Sequence, residues 1–270
     1  MYLRLFAFIK NEDHVIRDWL EYHGQIFPWW SIHIYDNNST DNTYKILCDY
    51  KTRYGINIYQ TNNFKHKGNI ISSKISGYKN QSSICFPLDA DEFITLYQDG
   101  IVCKDPRTIK EYITSLPISG EIFNTKGWLS ACPERESYDQ PVRQIDKFKW
   151  ELTDRACCKR FFRSNTFLST DLGYHTGKSV NNNIVDTDIC YLHYHDTGRS
   201  RRLRRCEEII TAHDIDLNTI RERITPRGAV PNYVESSFNG VSRVNEYINQ
   251  NNWIYETVTN HDIHLDEPLL

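Results

Sequence analysis

Two aspartates separated by one small residue, Asp89-Ala90-Asp91, follow the apolar run Ile84-Cys85-Phe86-Pro87-Leu88 and precede Glu92-Phe93-Ile94. Carboxylates at that spacing present hard oxygen ligands to a divalent cation, and Ala90 leaves room for a ligand to approach. A Mg2+ or Mn2+ ion held by one or two carboxylates completes its shell from water and substrate phosphates. The implied chemistry is that of a nucleoside diphosphate. The same pair suits a plainer use, because Asp after a strand commonly caps a helix or closes a turn.

The elements that must position this pair follow from the periodicity. A run of Ile, Cys, Phe and Leu without polar alternation predicts a strand covered on both faces of an α/β sheet. Ligands in such sheets sit at the carboxyl ends of the strands, so both aspartates are expected to face a crevice. Upstream, residues 3 to 9 read as a strand, and 13 to 25 as a helix with Val15, Ile16, Trp19, Leu20 and His23 on one side, closed by Gly24. A strand over 31–35 leads through the polar loop 36–43 to a capped helix over 41–54. A strand over 56–60, a helix over 69–79 and the strand over 84–88 complete the alternation. The pattern predicts an α/β fold with a mostly parallel, doubly wound sheet, and residues 1–100 as its nucleotide-binding half. Asp36, ending the second strand, is placed to read a ribose or base, and equally to cap the next helix. Neither a G-x-G-x-x-G fingerprint nor a P-loop occurs, which counts against dinucleotide oxidoreductases and P-loop ATPases.

Composition narrows the class. Aromatic residues at 13% and charged residues at 25% are the balance of a folded chain. A net charge of −3 gives no electrostatic reason to bind nucleic acid. No run approaches the roughly 20 apolar residues of a membrane span, and the first residues read as a strand rather than a signal peptide. The eight cysteines include no C-x-x-C pair, so neither a zinc ribbon nor a disulfide framework follows. A cytoplasmic protein with reduced thiols is the expectation.

Four segments carry a more specific signal: Lys10-Asn11-Glu12, Trp19-Leu20-Glu21-Tyr22-His23, Tyr35-Asp36-Asn37-Asn38-Ser39-Thr40-Asp41 and Leu88-Asp89-Ala90-Asp91-Glu92-Phe93. In this order they resemble the N-terminal half of GT-A-fold glycosyltransferases related to glycosyltransferase families 2 and 92. The resemblance implies a Rossmann-like GT-A domain over 1–200, with 101–200 as its acceptor half, and a helical extension over 201–270. It also implies a nucleoside-diphosphate sugar donor, UDP-linked, with Mn2+ or Mg2+, and a glycan or glycoprotein acceptor. Asp36 would contact uracil or ribose, Asp89 the ribose and metal-bound water, and Asp91 the metal. Lys10, Asn11, Glu12, Lys74 and Lys178 fall on the nucleotide-sugar side.

Further along, a helix over 108–116 is stopped by Pro117, and a strand over 121–124 leads to Trp128, which either stacks on a sugar or fills the core. In the resembling family a histidine near residue 175 completes the metal site. His175 matches it, a polar-loop histidine being the alternative, and His193 in the alternating segment 190–195 is its rival. An imidazole ligand favours Mn2+ over Mg2+. Arg199 to Arg205 reads as a solvated helical face, unless Arg199 or Arg202 meets the diphosphate. An inverting transfer, as the resemblance implies, needs one carboxylate base. Asp154 is the first candidate and Asp171 the second, with Glu134 and Glu136 behind. The tail over 211–270 is a candidate for self-association. Two rivals remain open: a nucleotidyltransferase, and a non-catalytic carbohydrate-binding protein on the same scaffold.

Overall fold

A computed structural model describes residues 1–131, 141–145, 147–151, 159–194 and 262–264. The apolar run at the N-terminus forms β1 (Tyr2–Ile9), buried from Leu3 onward. It is followed by α1 (Ile16–Ile26), β2 (Ile32–Asp36), α2 (Thr43–Tyr54), β3 (Asn57–Gln60), α3 (Lys67–Ser76) and β4 (Ser83–Leu88). Phe6 and Phe8 point from β1 to the face that holds Ile71 and Ile75 of α3, and all four are buried together. Burying these side chains on both faces of β1 and β4 is the main force holding the sheet together.

The second half supplies β5 (Glu92–Gln98), β6 (Ile101–Cys103), α4 (Pro106–Ser115), β7 (Ile122–Asn124), β8 (Gly127–Ala131), β9 (Lys147–Glu151), β10 (Arg160–Arg163), β11 (Phe167–Thr170), β12 (Gly177–Ser179), β13 (Ile184–Asp186), β14 (Ile189–His193) and β15 (Asp262–His264). The main sheet has seven strands in the order β13-β7-β10-β4-β1-β2-β3. β4, β1, β2 and β3 run parallel, while β10 lies antiparallel between β4 and β7. The expected α/β architecture with a mostly parallel sheet is therefore present. β4 does not end the sheet story: the chain turns through Asp89–Asp91 into β5, which pairs antiparallel with β14, and β14 pairs parallel with β8. The acidic pair is the corner between two sheets.

The chain divides into two compact units, one built on Met1–Ser130 and Trp150–Tyr194, the other on 131–149 and 195–268. In the second unit Asp262, Ile263 and His264 of β15 pair antiparallel with Lys149, Phe148 and Lys147 of β9. The expected helical extension over 201–270 otherwise falls outside the described residues, and this described piece of it is strand because β9 supplies its backbone partners. Among the described residues no helix is long and apolar enough to cross a membrane.

Two helix ends differ in an instructive way. α2 stops at Gly55, whose φ of 78° is the left-handed cap glycine tolerates. Gly24, expected to close α1, lies inside it, and the helix runs on to Ile26. A Cβ at Gly24 would lie 2.2 Å from the Trp29 ring, so the glycine serves close packing.

Two buried histidines tie the sheet to its surroundings. His23 Nε2 accepts from the Ile94 N–H (3.3 Å), which leaves Nδ1–H to donate to the Trp19 carbonyl (2.9 Å). Burial lowers its pKa to about 3, and burial together with Lys74 and Arg4 lowers that of His33 to about 3. The unfolded chain therefore binds protons between the ordinary histidine value and 3 while the folded chain does not, and stability falls as pH drops through that window. Acidification from pH 7 to pH 5 is expected to remove about 2 kcal/mol of unfolding free energy for each imidazole. Urea unfolding at the two pH values checks this, and His33→Gln should flatten part of the dependence.

Candidate active site

Because β4, β1 and β2 are parallel neighbours, their carboxyl ends meet at one sheet edge. Ile9 is paired with Asp36 and Ala7 with Leu88, so Lys10, Asp36 and Asp89 emerge side by side. The two loops above β1 and β2 are stitched together. Asn11, at φ 55°, takes the Thr40 N–H on its Oδ1 (2.8 Å), and its own N–H donates to Ser39 Oγ (3.0 Å). The N–H of Glu12 donates to Thr43 Oγ1 (2.7 Å) and that of Asp13 to Asp41 Oδ2 (3.1 Å). The K-N-E and D-N-x-S-x-D segments are thus two halves of one framework. It encloses Asp36, which is 0% exposed. One oxygen of Asp36 accepts from the Ser39 N–H (3.3 Å), while Oδ1, like the Oδ1 of Asn37, has no partner among the described residues. Buried acceptors left without a donor are costly, so Asp36 and Asn37 offer ready acceptors to a ligand.

At the acidic corner the two aspartates part company. Asp89 accepts from Lys67 Nζ (2.5 Å) on Oδ1 and from Lys159 Nζ (2.6 Å) on Oδ2. Lys159 also pairs with Glu92 Oε1 (2.9 Å), and the other oxygen of Glu92 reaches back to the Asp89 N–H (2.9 Å). The side chains of Lys67 and Lys159 are 7% and 5% exposed, whereas that of Asp89 is 28% exposed. The cations are sealed in and the carboxylate between them is open. Burial works against the charged form of Asp89, but Lys159 and Lys67 outweigh it and hold its pKa well below the usual range. Burial pushes Glu92 up, with Lys159 opposing. Burial would lower Lys159, and Asp89 and Glu92 reverse that and raise it.

Both ammonium groups also lie over the ring of Tyr174, Lys67 at 4.5 Å from its centroid and Lys159 at 5.1 Å. Tyr174 is fully buried, stands at φ 62°, and its hydroxyl has no partner among the described residues. A bulky residue in the left-handed region is held there by its surroundings. The turn that holds it is closed by Asp171, whose Oδ1 accepts from the Thr176 N–H (2.9 Å). The turn packs so close to α3 that a Cβ at Gly68 would lie 2.8 Å from the Asp171 backbone. Asp171, expected as a base, therefore has one oxygen engaged in positioning Tyr174.

Asp91 turns the other way. It is 2% exposed, its Oδ2 lies 3.7 Å from His193 Nε2, and its carbonyl accepts from the Tyr194 N–H (2.7 Å). Trp128 is half-buried and stands between the two rival histidines, 5.9 Å from the ring of His193 and 6.5 Å from that of His175. The structure brings His193 to the acidic corner and leaves His175 across the tryptophan. It does not bring Lys74 or Lys178 there. Lys74 donates to Tyr59 Oη (2.8 Å) further along α3, and Lys178 is exposed on β12. Asp154, Glu134, Glu136, Arg199 and Arg202 lie outside the described residues. Lys67, Lys159, Glu92 and Tyr174 were missed as site residues. Lys67 had a signal, in the cationic Lys65-His66-Lys67 segment at the start of a helix. Lys159, seventy positions from its partner, had none.

Among the described residues no group of three or more His, Cys, Asp and Glu side chains is arranged to hold a metal. What the corner offers is one carboxylate and one imidazole, with the second aspartate neutralised by two lysines. A donor set of that kind fits an ion that draws its remaining ligands from water and phosphate oxygens.

The sequence matches no protein-family model and no curated protein. Among solved structures, it is similar to S. aureus TarS 1-349 in complex with UDP-GlcNAc, at 13% identity and a TM-score of 0.46, covering 95% of this chain and 76% of that one. The TarS 1-349 complex with UDP gives a TM-score of 0.44 at 13% identity, covering 96% and 74%. A cytidylyltransferase from Leptospira borgpetersenii gives 0.31 at 8% identity, covering 61% of each chain. Likeness at this level carries no function to this chain, whose chemistry rests on its own residues.

Removing the Lys159 ammonium leaves the enclosed Glu92 without its ion-pair partner and Asp89 with Lys67 alone. Lys159→Met is expected to cost about 3–5 kcal/mol of unfolding free energy, the range for breaking a buried ion pair from one side. Denaturant unfolding measures it, and Lys159→Arg should lose clearly less.

Proposed function

We propose that this protein transfers a hexose or pentose from a UDP-linked sugar to a hydroxyl group of a glycan, with inversion at the anomeric carbon. The observation that supports this reading best is the corner after β4, where an open Asp89 backed by two sealed ammonium groups stands beside the Asp91 and His193 pair. Asp91 and His193 are the residues that would hold Mn2+, with Mg2+ as the alternative. When bound, the ion supplies Lewis-acid stabilisation for the charge that develops on the leaving diphosphate.

The chain's own groups do the rest. Asp36 and Asn37 accept hydrogen bonds from the uracil and ribose, satisfying oxygens that are otherwise buried alone. Lys67 and Lys159 keep Asp89 ionised and fixed in place, so it accepts from the ribose without moving. Trp128 offers a partly open ring to the apolar face of a sugar. Asp154 takes the proton from the acceptor hydroxyl as that oxygen attacks opposite the leaving group.

Calorimetry with UDP and Mn2+ tests the donor site. Asp91→Ala is expected to weaken Mn2+-dependent UDP binding by about tenfold or more, the scale on which metal-site changes act. Unchanged affinity would remove the metal assignment. Asp154→Asn is expected to bind UDP normally and lose roughly 10²–10⁴ of the single-turnover rate, and full activity would exclude it as base. Product analysis separates the nearest rival: release of UDP fits transfer of the sugar, and release of pyrophosphate would show a nucleotidyltransferase instead.

A further inference from the structure

Beside α3, on the face where Lys74 projects, lies an open cavity of about 540 Å³ lined by Tyr35, Asn69, Ser73, Lys74 and Tyr78 among others. None of its lining residues is acidic. Two of its lining residues, Lys74 and Tyr78, are joined behind the wall by a chain: Lys74 Nζ donates to Tyr59 Oη (2.8 Å), Tyr59 Oη lies 3.4 Å from His33 Nδ1, and His33 Nε2 lies 3.1 Å from Tyr78 Oη. Lysine can only donate, and neutral imidazole carries one N–H. Three links consume three hydrogens, whereas one ammonium hydrogen of Lys74 with those of Tyr59, His33 and Tyr78 makes four. In the Nε2–H tautomer the spare hydrogen is on Tyr78, in the cavity wall, and in the Nδ1–H tautomer it is on Tyr59, behind it. His33 is buried and neutral over the physiological range, so the surplus persists. Lys74 adds its remaining ammonium hydrogens.

The cavity therefore presents the ammonium of Lys74 and the hydroxyl of Tyr78, has no balancing carboxylate among the described residues that line it, and has tyrosine ring surface in its wall. The geometry points to a second binding site, for a saccharide unit that carries a carboxylate or phosphate: the pyranose C–H face lies on Tyr78 and the anion meets Lys74. Asn69 and Ser73 on the exposed side of α3 pair with ring hydroxyls. The size is in the range of ordinary small-ligand sites. Lys74 lies seven positions, about 10 Å of helix, from Lys67, so this site is separate from the corner at Asp89 and does not depend on the donor reading.

The test is ligand-observed NMR titration of the full chain with glucuronate, glucose 6-phosphate, neutral methyl glucoside, inorganic phosphate and AMP. The acidic sugars are expected to bind at least about tenfold more tightly than the neutral glucoside or phosphate alone, the scale of one charge-assisted hydrogen bond. Lys74→Gln should weaken them by about the same factor, and Lys74→Arg should retain most of the binding, which a merely misfolded variant would not explain. Absence of binding, equal binding of the neutral glucoside, or binding unchanged in Lys74→Gln would overturn the site. AMP binding more tightly than either acidic sugar would overturn its assignment to a saccharide.

Discussion

The ammonium of Lys159, enclosed between Asp89 and Glu92, is the interaction on which the site depends. Lys159 and Glu92 have left bulk water at this point while Asp89 stays partly open, and desolvation of this kind is tolerated only where each charge finds partners at close range. The partners come from different parts of the chain. Asp89 and Glu92 sit on the corner between β4 and β5, and Lys159 directly precedes β10, the strand that adds antiparallel to β4. The ion pairs thus fasten the antiparallel half of the main sheet to the end of its parallel half. Lys67 closes the arrangement from α3, and the ring of Tyr174 lies against both cations. The left-handed backbone at Tyr174 is understandable in this setting, since the cations, the Asp171 turn and the close approach of Gly68 together over-determine it.

The corner also explains why two aspartates two residues apart do different work. Along a strand, such a pair would share one face. Here the chain leaves one sheet and enters another between them, so Asp89 meets lysines and Asp91 meets the imidazole of His193. A carboxylate neutralised by two ammonium groups is a poor partner for a third cation, while one beside an imidazole suits it well. The division leaves one acid as a fixed acceptor and the other as half of a donor set.

α3 carries two distinct chemistries along its length. Its first residue, Lys67, is buried at the strand ends, and Lys74 stands half-buried over Tyr59 of β3 and Tyr78 just beyond the end of α3. The difference arises from what faces each position. Lys67 is opposed by a carboxylate and is neutralised, while Lys74 is opposed by hydroxyls and rings and meets no carboxylate among the described residues.

Much of this was legible in the order of residues. Largely apolar runs marked β1 and β4, the stripe of Val15, Ile16, Trp19, Leu20 and His23 marked the buried side of α1, and the polar cluster after Tyr35 marked the loop that encloses Asp36. These are local properties, set by side-chain periodicity and turn chemistry, and a linear chain displays them directly. The position of Asp89 at a strand end belonged to the same class. What tertiary structure alone decided was which charges meet. Lys159 and Asp89 are joined by a strand pairing across seventy residues, His193 rather than His175 reaches Asp91 through the register of β14 against β5, and Lys74 is carried away from the strand ends by the pitch of α3. Long-range pairing depends on how sheets and helices pack, and packing leaves no periodic mark in the sequence around any one of these side chains.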